Sequence, residues 1–393
     1  MNRLLSFLLL CGCAGSLVDR AGLSATDGGG TECITDGKLK CGGGGCCDAS
    51  AVSAGTRHTC AIAAAQTGGE ARCWGGNDQL QLGRAGADSH LPQRVDLPGP
   101  VIAIAAGAAH TCAIAGGQHE VYCWGDNSSS QLGNGSSGTG IATPQKVAGS
   151  AGAALIAAGG AHTCFTAGAQ MFCFGDNTQG QLGNGAIEPS RDAPVAVSGV
   201  SGALAIAAGQ AHTCAITSSG VDCWGANDAG QLGNNSVSAP SPTPSPTSPA
   251  LSGAAFLGLG WNHSCAGSDS LSCWGANASS QVDDSRQTQL APKGVLSNVS
   301  GVTGGIGHTC AIHSEGVRCW GLNDKWQLGT SADDHSEADI IGLSAVAALA
   351  AGWKHTCAID SGNVKCWGLN DHGQLGTPTT TPRSSTPVPI AVH

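Results

Sequence analysis

The chain has 393 residues, with 62 Gly, 20 Cys and 9 Trp against a single Tyr and only 11% charged residues. The Trp and Cys are too regularly spaced for a low-complexity polymer, although the Gly content alone would suggest one. The net charge is −10 and no basic run exceeds two residues, so the footprint that a nucleic-acid phosphate backbone requires is absent and no nucleic-acid partner is expected.

In chain order, Met1-Asn2-Arg3 is followed by an apolar run from Leu4 to Leu10 and then by Cys11-Gly12-Cys13-Ala14. A positive charge, a short apolar core and small residues describe an export signal, too short to persist as a membrane span. Leu10-Cys11-Gly12-Cys13 resembles a bacterial lipobox, which implies lipidation of Cys13, with the lipid as the only link to an envelope membrane. The alternatives are an ordinary cleaved signal, giving a secreted protein, and a mis-called start codon. Residues 1–13 are thus read as the signal and 14–48 as a Gly-rich tether. That tether carries Cys33, Cys41, Cys46 and Cys47, either as a small cross-linked knot of undetermined pairing or as disordered chain.

From residue 49 to 393 the sequence repeats. His-Thr-Cys stands at His58, His110, His162, His212, His308 and His355, with His-Ser-Cys at His263; the seven copies are 52, 52, 50, 51, 45 and 47 residues apart. Each is followed by Cys-Trp-Gly, beginning at Cys73, Cys123, Cys223, Cys273, Cys319 and Cys366, or by Cys-Phe-Gly at Cys173. Asn comes next, then in most copies Gln-Leu-Gly. A period near 50 with short apolar runs, Gly turns and no helical periodicity predicts an all-β, seven-bladed propeller with one four-stranded blade per repeat. The C-terminal Thr386-Pro387-Val388 matches the Pro-Val segment taken to open each repeat, and is expected to close the ring by completing the first blade. The prolines at 240, 242, 244, 246 and 249 predict an exposed, unpaired insertion between the fourth and fifth repeats. The motif Gly-x-x-His-Thr-Cys-Ala-Ile, then Gly-Val-x-Cys-Trp-Gly-x-Asn-x-x-Gly-Gln-Leu-Gly, resembles the repeat of the regulator of chromosome condensation family, in an exported, disulfide-bearing bacterial form. The resemblance runs through all seven units and implies the family's seven-bladed fold.

Fourteen cysteines fall into seven pairs: Cys60 with Cys73, Cys112 with Cys123, Cys164 with Cys173, Cys214 with Cys223, Cys265 with Cys273, Cys310 with Cys319 and Cys357 with Cys366. A two-residue turn at Ser218-Ser219 would set Cys214 opposite Cys223 on adjacent antiparallel strands, within disulfide reach. Separations of 11 and 13 keep that opposition, whereas Cys265 and Cys273, at 8, need a three-residue loop or a bulge. One intra-blade disulfide per blade is expected. Free buried thiols would fit only a reducing compartment, and the Cys-x-x-Cys spacing of zinc sites is absent from the repeats.

Seven equivalent histidines could form a metal ring, but repeated positions more often serve the fold, and no metal or other cofactor is expected. The repeat tryptophans are read as packing between blades. The informative residues break the pattern. Trp261 and Trp353 stand two before a repeat His, Trp326 replaces the Gly of Gly-Gln-Leu-Gly, and Lys325 and Lys354 adjoin them. They are either a partner-binding surface or local gap fillers. Acidic loops at Asp283-Asp284, Asp333-Asp334, Glu337 and Asp339 could prefer a basic partner, or be solvated loops. No nucleophile elbow, metalloprotease motif or phosphate loop is present, so an enzyme is not expected. The expected function is a monomeric, non-enzymatic binding module for a protein partner. The alternatives are an inhibitor of a secreted or periplasmic enzyme and the nucleotide-exchange role of the family's namesake.

Overall fold

The computed structural model describes residues 39–40, 46–64, 68–332 and 337–390. The export signal with Cys13, and also Cys33, Cys41, Asp333 and Asp334, lie outside the described residues. Cys47 is disulfide-bonded. Among the described residues every regular element is a strand, and no helix is long and apolar enough to cross a membrane.

Seven four-stranded antiparallel sheets follow one another along the chain, at 49–94, 101–146, 153–201, 205–246, 256–297, 299–339 and 346–389. A two-stranded ribbon, Leu39–Lys40 with Cys46–Cys47, precedes them. In each blade consecutive strands are neighbours, and the first strand is innermost. The seven inner strands touch one another in a closed ring, blade 7 meeting blade 1. Small residues dominate here, as in Ala205–Ala208, because the strands converge where the ring is narrowest. Gly209, at the end of that strand, has no room for a side chain: a Cβ would lie 2.2 Å from the His212 ring.

The core lies between blades rather than within them. Ile216 and Val221 of blade 4 pack against Leu257, Leu259 and Trp274 of blade 5, and comparable clusters fill all seven junctions. The six Trp of Cys-Trp-Gly are buried there, each donating its indole N–H to the carbonyl of the repeat Gln in the preceding blade, as Trp224 does to Gln181 O at 2.9 Å. The Trp74 indole makes the same bond to Gln374 O across the join between blades 1 and 7. Phe174 fills the place in blade 3 without a donor.

All seven expected disulfides form between the second and third strands of a blade. Cys60 bonds Cys73, Cys112 bonds Cys123, Cys164 bonds Cys173 and Cys214 bonds Cys223. In the last three blades Cys265 bonds Cys273, Cys310 bonds Cys319 and Cys357 bonds Cys366. The Cα atoms of every pair are 4.1 Å apart. Hairpin parity explains them. Thr217 pairs with Gly220 across a two-residue turn, so Cys214 faces Cys223 as a close, non-hydrogen-bonded pair. In blade 5, Gly267 pairs with Leu271 across a three-residue loop, which restores the opposition of Cys265 and Cys273.

Two expectations need correction. The C-terminal strand Arg383–Pro389 completes the seventh blade, pairing Val388 with Cys366, while the first blade holds four strands of its own. The Pro-Val segment is therefore the last strand of a blade, not the first strand of the next. For the same reason the Pro/Ser stretch is no unpaired insertion: Ser241–Pro246 is the outer strand of blade 4, with Ser245 opposite Cys223. Thr247 N–H donates to Val221 O, so odd-numbered residues face the sheet, and Pro242, Pro244 and Pro246 occupy the outward positions where no N–H is needed.

Candidate functional site

Antiparallel blades place their loops on two faces. The turn from first to second strand and the loop from third to outer strand share one face, where each repeat's His, Asn and Gln-Leu-Gly lie. There the repeat His donates from Nε2 to the Thr or Ser hydroxyl of the next blade at 2.9–3.0 Å: His58 to Thr111, His110 to Thr163, His162 to Thr213, His212 to Ser264, His263 to Thr309, His308 to Thr356 and His355 to Thr59. Each hydroxyl gives its own proton to a Gln carbonyl of the blade behind, as Thr213 does to Gln181 O at 2.9 Å. That leaves the hydroxyl able only to accept from the imidazole, which fixes the Nε2–H tautomer. All seven Nδ1 atoms are buried without a hydrogen-bond partner. Burial pushes these histidines from 6.5 down to about 3 or 4, so they stand neutral. With Nε2 committed, the imidazoles link blades. Ser264, beside His263, is one of the linked hydroxyls. The repeat Asn is a turn residue, as Asn227 shows by accepting from Leu232 N–H and donating to Ser236 O.

Nearer the axis a second belt runs through the backbone. Thr56 N–H donates to Ala108 O, Ala108 to Gly159, Gly160 to Gly209, Gln210 to Trp261, Trp261 to Gly305, Ile306 to Trp353 and Trp353 to Gly55, at 3.0–3.2 Å. The backbone at this position serves the fold and leaves the side chain unconstrained. Five blades carry Thr56, Ala108, Gly160, Gln210 and Ile306; the other two carry Trp261 and Trp353, all seven lining the channel mouth.

All five sequence candidates lie on this face. Trp261 and Trp353 meet with ring centroids 5.9 Å apart. Lys354 Nζ lies 2.5 Å from Asp324 and 5.7 Å from the centroid of the Trp353 ring. Trp326 stands apart, in the loop of blade 6 with its neighbour Lys325, and carries the Arg383 guanidinium 3.8 Å over its ring. Its φ of +66° is shared with the equivalent Leu80, Ser130, Gly180, Gly230, Ser280 and Gly373, so it is a left-handed turn position that happens to hold Trp.

Two residues of the acidic loops are engaged within the chain. Asp283 bonds Asn277 and Ser285 and pairs with Lys293, while Asp339 pairs with Arg318 at 2.7 Å. Sequence reading missed a different set. Asp126, Asp176 and Asp228 flank the repeat Asn of blades 2, 3 and 4, and no cation pairs with them among the described residues, whereas Asp78 and Asp324 pair with Arg57 and Lys354, and Asp371 lies beside the His372 imidazole. Asp176, Asp228 and Trp261 line an open depression of about 480 Å³ beside the channel mouth. The signal was present as an Asp beside the repeat Asn, but only the ion pairs of the other blades reveal which copies lack a cation.

A family model described as Regulator of chromosome condensation (RCC1) repeat matches residues 69–114, 118–166 and 169–216, and a second of the same description matches 101–131, 204–231 and 346–374. Human WBSCR16 has a similar structure, with 21% identity and a TM-score of 0.69 over 81% of this chain and 93% of that one. Prp20p from Saccharomyces cerevisiae, described with its binding to Gsp1p and histones, is 20% identical with a TM-score of 0.67 over 79% of this chain and 82% of that one. These likenesses concern the fold. No curated protein sequence matches the chain.

Proposed function

Because this chain carries regulator of chromosome condensation repeats in a seven-bladed propeller, we propose that it is a non-enzymatic protein-binding module that works from the face bearing Trp261 and Trp353. One observation carries this reading: at a position whose backbone alone serves the fold, two blades spend a large aromatic side chain on the rim of the channel. Half-buried aromatics at a position held in the other blades by Thr, Ala, Gly, Gln and Ile are typical of binding anchors. Seven disulfides fit an oxidising compartment and weigh against nucleotide exchange in a cytosol. In this reading the chain is exported and tethered through lipidated Cys13. Inhibition of an exported enzyme would be the same surface used on one kind of partner.

The test compares capture of partners by the oxidised chain and by a Trp261→Ala, Trp353→Ala variant. A single specific partner, retained by the first and lost by the second, is the expected result. Equal capture by both removes the proposed site.

A further inference from the structure

Repeat equivalence lets one blade junction act as the template for another. Between blades 6 and 7, Asp324 follows the turn residue Asn323, and Trp353-Lys354 precede the repeat His355. The Lys354 ammonium lies 2.5 Å from Asp324 Oδ2 and 5.7 Å from the centroid of the Trp353 indole. A carboxylate and an aromatic ring there act on the same positive charge. Between blades 4 and 5 the carboxylate and the indole recur: Asp228 follows Asn227, and Trp261 stands two residues before His263. Lys354 alone is not repeated. Its equivalent is Asn262, which is neutral.

Asp228, Trp261 and Asn262 line the same open depression, with Asp176 as a second carboxylate and Gly160 and Ala211 as small lining residues. Asp228 Oδ1 accepts from Gln231 Nε2 at 2.9 Å, and no cation pairs with either carboxylate among the described residues. The chain's charge of −10 favours a basic partner.

We infer that the junction of blades 4 and 5 receives a lysine side chain of the protein partner, its ammonium taking the place that Lys354 Nζ takes at the junction of blades 6 and 7. The methylene stem lies along the small, apolar residues while the charge meets Asp228 and the Trp261 ring. This rests on the protein-binding reading of the face and adds the partner's chemistry.

The probe is acetyl-Gly-Lys-Gly-amide, with the norleucine peptide as its uncharged control, titrated into the full oxidised chain while NMR follows the Trp261 indole N–H. The lysine peptide should shift that signal saturably and the norleucine peptide should not. Asp228→Asn should weaken binding about fivefold, and Asn262→Lys, which supplies the chain's own ammonium, should abolish it. Lys354→Asn should make the Trp353 indole respond as well, a gain that a misfolded variant cannot produce. Equal response to norleucine, or a lysine response untouched by Asn262→Lys, overturns the inference. Partner capture separates the two levels. If Trp261→Ala with Trp353→Ala loses the partner while Asn262→Lys keeps it, the lysine site fails and the binding face stands; if the double variant keeps the partner, both fail.

Discussion

At the scale of single residues, the repeat hydroxyl is the most connected group on the loop face. Thr111 accepts from His58 and donates to Gln81 O, so Thr111→Val would leave the buried His58 Nε2–H unmatched, while Gln81 O would keep only the Trp124 indole N–H. A loss of about 1–3 kcal/mol is expected, read as a lower urea midpoint. Trp326 behaves differently. Its left-handed backbone favours Gly, and its main side-chain partner is the stacked Arg383. In Trp326→Gly the relief of strain offsets the lost stacking, so stability should stay within about 1 kcal/mol by thermal melting. The histidine and cysteine roles differ in how far sequence exposes them. Cysteine opposition follows from counting residues along one hairpin. A histidine whose partner lies about 50 residues away on the next blade gives no local sign of it.

Among elements, the third strand of blade 3 offers a test of the indole hooks. Phe174 occupies the place of a Trp, and Gln131 O therefore lacks the N–H that its counterpart Gln181 O receives from Trp224. Phe174→Trp should supply that bond and raise stability by about 1 kcal/mol in denaturant unfolding. Removing the staple of blade 4 with Cys214→Ser and Cys223→Ser should cost on the order of 2–3 kcal/mol, measured the same way under oxidising conditions. Blade number and hairpin register were legible because both are written as spacing. The assignment of the outer strand was not. Pro-Val lies beside the next inner strand in sequence, and only the ladder, Ser245 opposite Cys223 or Val388 opposite Cys366, decides which blade owns it. Likewise the fifth repeat, irregular as text, is regular as structure: Ser280-Gln281-Val282 keeps the buried Gln and apolar residue of Gly-Gln-Leu, and Val282 N–H donates to Asn277 Oδ1 as Leu232 N–H does to Asn227 Oδ1.

For the whole molecule, seven neutral imidazoles make the ring sensitive to acid. Their folded values, about 3 to 4, lie below the ordinary 6.5. Above 6.5 both folded and unfolded chains hold them neutral, and the stability is fully present. As pH falls below 6.5 the unfolded chain takes up protons that the folded ring refuses. Stability is then lost at about 1.4 kcal/mol per pH unit for each histidine until the folded values are reached. Unfolding near pH 5 should therefore take up close to one proton per repeat histidine, measurable from the pH dependence of the urea midpoint. A slope matching only one or two protons would contradict the buried, neutral ring. The contiguity of the blades carries a further consequence, for the order of synthesis. Every cysteine of the ring pairs with the next cysteine along the chain, and every blade is complete when its own outer strand has emerged. Oxidation in order of emergence thus yields only native bridges, with no earlier thiol waiting for a distant mate. The last blade has only to dock, because no strand must be threaded back to the beginning.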